Sequence, residues 1–139
     1  MAPIVLERKL DSLHRCLARI EDKCPDTVQQ LRDDPDLQDI VVLNLSRAVQ
    51  LCVDMALHLL TEAGQPAPET MGEAFDKLAQ DHLLDHDLAQ RMRKAVGFLN
   101  IAVHNYSAIN WAIVHAIASQ HADDFKAFAR TMRDADRRT

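Results

Sequence analysis

Glycine is scarce in this 139-residue chain, with three in all, and aromatics are few: one tryptophan, one tyrosine and four phenylalanines. So little glycine and so few aromatics exclude a turn-rich β architecture. Cysteine is limited to Cys16, Cys24 and Cys52, an odd number with no CxxC pair. That excludes a disulfide framework and predicts reduced thiols in the cytoplasm. No apolar run is read as reaching the ~20 residues of a membrane span. The start, Met-Ala-Pro-Ile, has the pattern of neither a signal nor a transit peptide. Excess positive charge is also missing: the formal net charge is −5, a poor overall footprint for nucleic-acid binding. The charge is uneven, however. Residues 126–139 hold Lys126, Arg130, Arg133, Arg137 and Arg138 against Asp134 and Asp136. These cations read most simply as a solvated helix end complementing its dipole.

What the chain has instead is apolar spacing of helical period, with no repeat, linker or low-complexity tract. Leu6, Leu10, Leu13, Leu17, Ile20 and Cys24 step by three and four along a first helix. Leu45, Ala48, Cys52, Met55 and Leu59 do the same on a second, which Asp34 can cap and Pro35 can open. Gly64-Gln65-Pro66-Ala67-Pro68 ends it. Thr70-Met71-Gly72-Glu73 predicts a capping box for a short third helix to about Gln80. A fourth helix is expected from Asp85 or Asp87 to the motif-bearing segment Gly97–Tyr106. A fifth, capped by Ser107, carries Val114, Ile117, His121, Phe125, Phe128 and Met132 as its stripe. At this length residues 1–139 form a single domain, all-α, an antiparallel bundle of about five helices.

The segment Gly97-Phe98-Leu99-Asn100-Ile101-Ala102-Val103-His104-Asn105-Tyr106 carries the chemistry. It falls at the junction of the fourth and fifth helices, where side chains are exposed and backbone N–H groups are free. A histidine titrating near neutrality can take a proton from an RNA 2′-OH or give one to a departing 5′-oxygen. The nucleophile then belongs to the substrate, so no metal and no cofactor is required.

This segment resembles the Arg-x4-His-x-Tyr signature of HepT-type HEPN toxins. Asn100, Val103, His104 and Tyr106 match it, while Leu99 stands at the arginine position. Leu43-Asn44-Leu45-Ser46-Arg47 and Cys52-Val53-Asp54-Met55-Ala56-Leu57-His58 extend the likeness to the second-helix pattern of the same family. The resemblance implies a HEPN-like bundle, a homodimer whose two sites face one cleft, and metal-independent cleavage of messenger or transfer RNA. It assigns His104, with Asn100, to the catalytic set. It also implies an MntA-like nucleotidyltransferase antitoxin that adenylylates Tyr106, adding bulk and negative charge beside His104. A tyrosine that anchors the junction by ring packing and one hydroxyl bond is the plain structural reading of the same residue.

Leu99 can neither donate a hydrogen bond nor carry charge. Arg93 and Arg91 lie about 120° and about 80° away around an ideal helix, so neither replaces the arginine. Arg47, Asp54 and His58 are supporting candidates: Arg47 as a phosphate cation or a partner of Asp54 or Asn44, and Asp54 with His58 as an i,i+4 polar pair rather than metal ligands. His82 and His86 straddle a predicted break, His115 and His121 are expected to be partly exposed, and Asp33, Asp34, Asp36 and Asp39 suit a helix N-terminus. Two other functions fit the sequence. One is a non-catalytic dimeric helical partner that serves only as the AMP acceptor. The other is a generic bundle binding a small ligand or metal.

Overall fold

The computed structural model describes residues 3–137. Seven α-helices are found there: α1 (Pro3–Lys23), α2 (Val28–Arg32), α3 (Pro35–Glu62), α4 (Met71–Gln80), α5 (His86–His104), α6 (Trp111–Ser119) and α7 (Ala122–Arg137). A 3-10 turn, Tyr106–Ala108, joins α5 to α6. No strand occurs among the described residues.

Most helix starts follow the chain's own punctuation. The Asp34 carboxylate accepts from the backbone N–H groups of Asp36 and Leu37, and Pro35 opens α3 where its missing N–H is not needed. Thr70 accepts from Glu73 N–H at 3.2 Å, and Asp85 from Leu88 N–H at 3.2 Å. Beyond α3 the chain turns through Gly64 at φ +75°, a left-handed conformation that glycine adopts without strain.

Two elements depart from the expected five-helix plan. Thr27 forms a capping box with Gln30 and starts the short helix α2, whose buried Leu31 pins it to the core. The expected fifth helix is two. Ser107 does not cap it; its hydroxyl donates to Asn105 Oδ1 within the 3-10 turn. Asn110 caps α6 by accepting from Ala112 and Ile113 N–H, and the chain breaks again before α7. Val114, Phe125, Phe128 and Met132 of the expected stripe are buried, whereas His121 is exposed.

The centre of the bundle is α3. It contacts every other α-helix and buries twelve of its residues, Val41 to Leu60. By length and composition this helix is apolar enough to cross a membrane, with a mean hydropathy of 1.6 over its best window. This differs from the expectation that no apolar run reaches membrane-spanning length. Its apolar surface is occupied within the fold by Leu6, Leu10, Leu13, Leu17 and Ile20 of α1, together with Phe75, Leu78, Phe125 and Phe128. Phe75 and Phe128 meet edge to face, with ring centroids 5.5 Å apart. The basic stretch at the end of α7 is partly engaged: Lys126 reaches Glu21 at 3.9 Å, and Arg133 lies 3.2 Å from the His14 ring. Arg138 and Thr139 lie outside the described residues.

Core and cap contribute on different scales. Phe128→Ala is expected to destabilise the fold by about 3–5 kcal/mol, through lost burial and a cavity. Asp34→Ala is expected to cost about 1 kcal/mol, through a lost cap. Urea unfolding midpoints measure both, and comparable losses would refute the assignment of Phe128 to the core.

Candidate functional site

The junction after α5 is built by short-range bonds. Asn105 leaves helical geometry at φ −152° and ψ 73° while its N–H still donates to Ile101 C=O at 2.8 Å. The chain then tightens into the 3-10 turn and buries Ile109 as an anchor. His104, the last residue of α5, is exposed, and its ring has no hydrogen-bond partner among the described residues. A capping or hydrogen-bonded structural role is therefore not what holds it there.

Tyr106 is held from two sides. Its hydroxyl donates to Asp39 Oδ1 at 2.8 Å, across 67 residues of chain. Its ring meets Trp111 edge to face at 6.0 Å. Partial burial, then the hydrogen bond to Asp39, then the negative charge of Asp39 push the phenol pKa up to about 12. The residue is still 43% exposed, so a reagent can reach it. Both features of the anchoring tyrosine are thus present, on a side chain that also stays accessible.

Leu99 lies on the other side of α5. It is 5% exposed and belongs to the hydrophobic core, as its apolar neighbours suggested. Asn100 is exposed and lines a surface cavity with Arg93, Gly72 and Gly97. The two nearby arginines are engaged elsewhere: Arg91 Nε bonds Asp124 Oδ1 at 2.9 Å, and Arg93 pairs with Asp76.

The three supporting candidates stand apart from this junction. Measured along α3 from Asp39, Arg47 is ~12 Å away, Asp54 ~22 Å and His58 ~28 Å. Asp54 and His58 do not pair with each other. Asp54 accepts from Lys9 at 3.3 Å and from Gln50 at 3.1 Å, and His58 faces Glu62 at 3.2 Å. Arg47 bonds neither Asp54 nor Asn44, whose amide donates to Ile40 C=O at 2.8 Å. Of the other histidines, His115 lies 2.7 Å from Pro25 C=O and His121 lies 3.4 Å from Asp124. Among the described residues no three His, Cys, Asp or Glu side chains gather as a metal site.

No local sequence signal marks Asp39 or Trp111 as part of this junction. Asp39 sits in an acidic run that reads as helix-dipole complementation, and its contact with Tyr106 joins positions that carry no shared local pattern. Exposed apolar side chains surround the junction: Ile101, Val103 at 65% exposure, and Ile113. Beside them lies a cleft of about 690 Å³, floored by Phe98, Ile109 and Ile117.

The fold is that of known proteins. The family model for ribonuclease HepT-like proteins matches residues 13–132. The mRNA nuclease HepT of Shewanella oneidensis is 35% identical over 124 residues, spanning 89% of this chain and 92% of the relative. Among solved structures, a tri-AMPylated HEPN toxin of Shewanella oneidensis in complex with an MNT antitoxin superposes with a TM-score of 0.88 at 33% identity, covering 94% of this chain and 97% of that one. A toxin–antitoxin complex with AMP-PNP gives a TM-score of 0.88 at 32% identity, covering 94% and 98%. A MntA–toxin complex carrying a tyrosine-to-alanine mutation gives 0.87 at 32% identity, also covering 94% and 98%. With a family model across most of its length and a relative alike over nearly all of both chains, the protein belongs to the family of HepT-like ribonucleases.

Proposed function

We propose that this chain is the toxin member of a cytoplasmic toxin–antitoxin pair, a homodimeric, metal-independent endoribonuclease scaffold whose activity is attenuated by Leu99. His104 acts as the acid–base group: it takes the 2′-OH proton as the 2′-oxygen attacks phosphorus, and the protonated ring returns a proton to the departing 5′-oxygen. The observation that carries this reading is the exposed, unbonded His104 two residues from an accessible Tyr106, on the fold of a ribonuclease family. The exposed Ile101, Val103 and Ile113 beside the cleft suit an interface with a second copy.

The missing component is a cation at the scissile phosphate. Losing a preorganised donor of that kind lowers the rate by ~10²–10³. Leu99 packs in the core, so the position has been absorbed into the fold instead of presented to a substrate. That packing also favours a second reading, a non-catalytic dimeric partner that serves as AMP acceptor.

In both readings a nucleotidyltransferase antitoxin adenylylates Tyr106. The phenol oxygen attacks the α-phosphorus of ATP, pyrophosphate leaves, and the phenolic proton passes to a base, for which Asp39 stands 2.8 Å away. The relative solved as a tri-AMPylated toxin with its MNT antitoxin supports a partner of this kind.

Leu99→Arg is expected to confer RNA cleavage that His104→Ala abolishes and EDTA leaves untouched. Circular dichroism checks that the protein with a charged residue at a core position remains folded. A folded Leu99→Arg protein with no cleavage would leave only the acceptor reading. Tyr106→Phe should end AMP transfer from the partner, followed by intact mass; continued labelling would place the acceptor elsewhere. As the only tyrosine, Tyr106 also reports its own ionisation by ultraviolet absorbance. Its midpoint is expected near 12 in the folded protein, and Asp39→Asn should move it down toward 10. Because the folded value lies above the unfolded one, this stabilising contribution is complete below pH ~10 and is lost as pH rises toward the folded value. A wild-type midpoint near 10 would show that neither the burial of the phenol nor the Asp39 bond persists in solution.

A further inference from the structure

We infer that the groove between α1 and α3, walled by Arg15, Arg19 and Arg47, is a phosphodiester-binding track for a single-stranded oligonucleotide leading away from Tyr106. The inference rests on the reading of this chain as an RNA-directed toxin scaffold, and it adds a binding surface distinct from His104 and Tyr106.

The groove has a volume of about 570 Å³ and is lined by side chains of α1 and α3 alone. All three arginines are exposed, and none pairs with a carboxylate among the described residues. The one acidic residue in the wall, Asp54, is already bound by Lys9 at 3.3 Å and Gln50 at 3.1 Å. Three uncompensated guanidiniums therefore share one concavity in a protein of net charge −5. They also converge. Cys16 lies in the floor; burial raises its thiol pKa, and the charges of Arg47 and Arg15 both act against that rise. Arginine forks bind phosphate oxygens through paired, charge-assisted hydrogen bonds.

Position along α3 links the groove to the site. Asp39, Leu43, Arg47, Gln50 and Asp54 fall within about 80° of one another around the helix. Asp39 holds the Tyr106 hydroxyl, and Arg47 follows ~12 Å further along the same face. Between them Leu43 is 49% exposed, an apolar step on which a base can rest. Arg15 and Arg19, spaced i,i+4 on α1, form the opposite wall with side chains ~6 Å apart at Cβ. A strand whose reacting phosphate sits at the junction after α5 would thus run with its next phosphates between Arg47 and the facing α1 arginines. Phosphodiesters reach this track from two sources. One is the RNA substrate. The other is a short adenylate chain carried on Tyr106, which would lie in the groove and exclude RNA; a relative is solved in tri-AMPylated form.

The test uses the full chain with Leu99 retained and a short, labelled single-stranded RNA, read by fluorescence anisotropy over a salt series. The triple variant Arg15→Gln/Arg19→Gln/Arg47→Gln is expected to bind at least tenfold more weakly at low salt. Its slope of log K against log salt should fall in magnitude by about 2, since three neutralised phosphates contribute ~0.7 each on a single strand. Lys23→Gln/Arg32→Gln/Arg130→Gln removes the same charge elsewhere and should leave the slope close to wild type. Equal losses in both variants would reduce the effect to net charge and overturn the groove. Unchanged RNA binding with weakened capture of the nucleotidyltransferase would also overturn it, making the groove a protein-docking surface.

Binding is read on the chain with Leu99 retained and cleavage on Leu99→Arg, so failure of the cleavage assay and failure of the groove are read separately. Adenylylated and unmodified wild-type chains distinguish the two sources. Weaker RNA binding after modification, with the adduct trimmed faster by a phosphodiesterase in the triple variant, places the adenylate chain in the groove. Unaltered RNA affinity after modification assigns the groove to RNA alone.

Discussion

The bundle is organised by the burial of α3, a helix so apolar that it has to be covered on most of its circumference. It contacts all six other α-helices, and its long stripe from Val41 to Leu60 is the surface on which they are registered. Burial of this kind is non-directional and grows with the apolar area removed from water. It fixes where α1 and α5 lie, and with them the two features that matter for function: the groove along one side of α3 and the junction after α5. The part of α3 left uncovered is equally informative. Asp39, Leu43, Arg47 and Gln50 lie on a strip reaching solvent, and polar contacts concentrate there.

The Tyr106–Asp39 bond ties the junction to that central helix. Without it the 3-10 turn would rest on Ile109, the Asn105–Ser107 contact and the Trp111 ring. With it, the phenol is held at a defined place against the carboxylate of an independent element, and its ionisation is suppressed. The same bond therefore orients a nucleophile and keeps it neutral until a base takes its proton. On the proposed reading this is useful, because an acceptor that must be presented to a partner's active site gains from being preorganised.

Leu99 shows how one position can be reassigned between surface chemistry and core packing. Leucine there adds apolar area to the seam beneath α5 and forfeits the charge that the HepT-type signature places at that point. Arg91 and Arg93, the arginines nearest in sequence, are engaged with Asp124 and Asp76. Three guanidiniums without a carboxylate partner among the described residues lie instead together on α1 and α3. A chain acidic overall thus gathers three unpaired cations in one groove.

Local rules made the helices legible. Asp34-Pro35, Thr70 and Asp85 marked helix starts because a cap is a bond between residues two or three apart, and the stripes of α1 and α3 followed from period alone. The likeness in Gly97–Tyr106 brought family, His104 and Tyr106 into view before any coordinates. The break between α6 and α7, the short α2 and the failure of Ser107 as a cap escaped, since an apolar period runs across a kink without registering it. The pairing of Tyr106 with Asp39, the separation of Asp54 from His58 and the meeting of Arg15, Arg19 and Arg47 were decided only by tertiary structure. The physical reason is range: caps and periodicity act within a turn or two of helix, whereas these contacts join residues whose proximity is set by how α1 and α5 pack on α3.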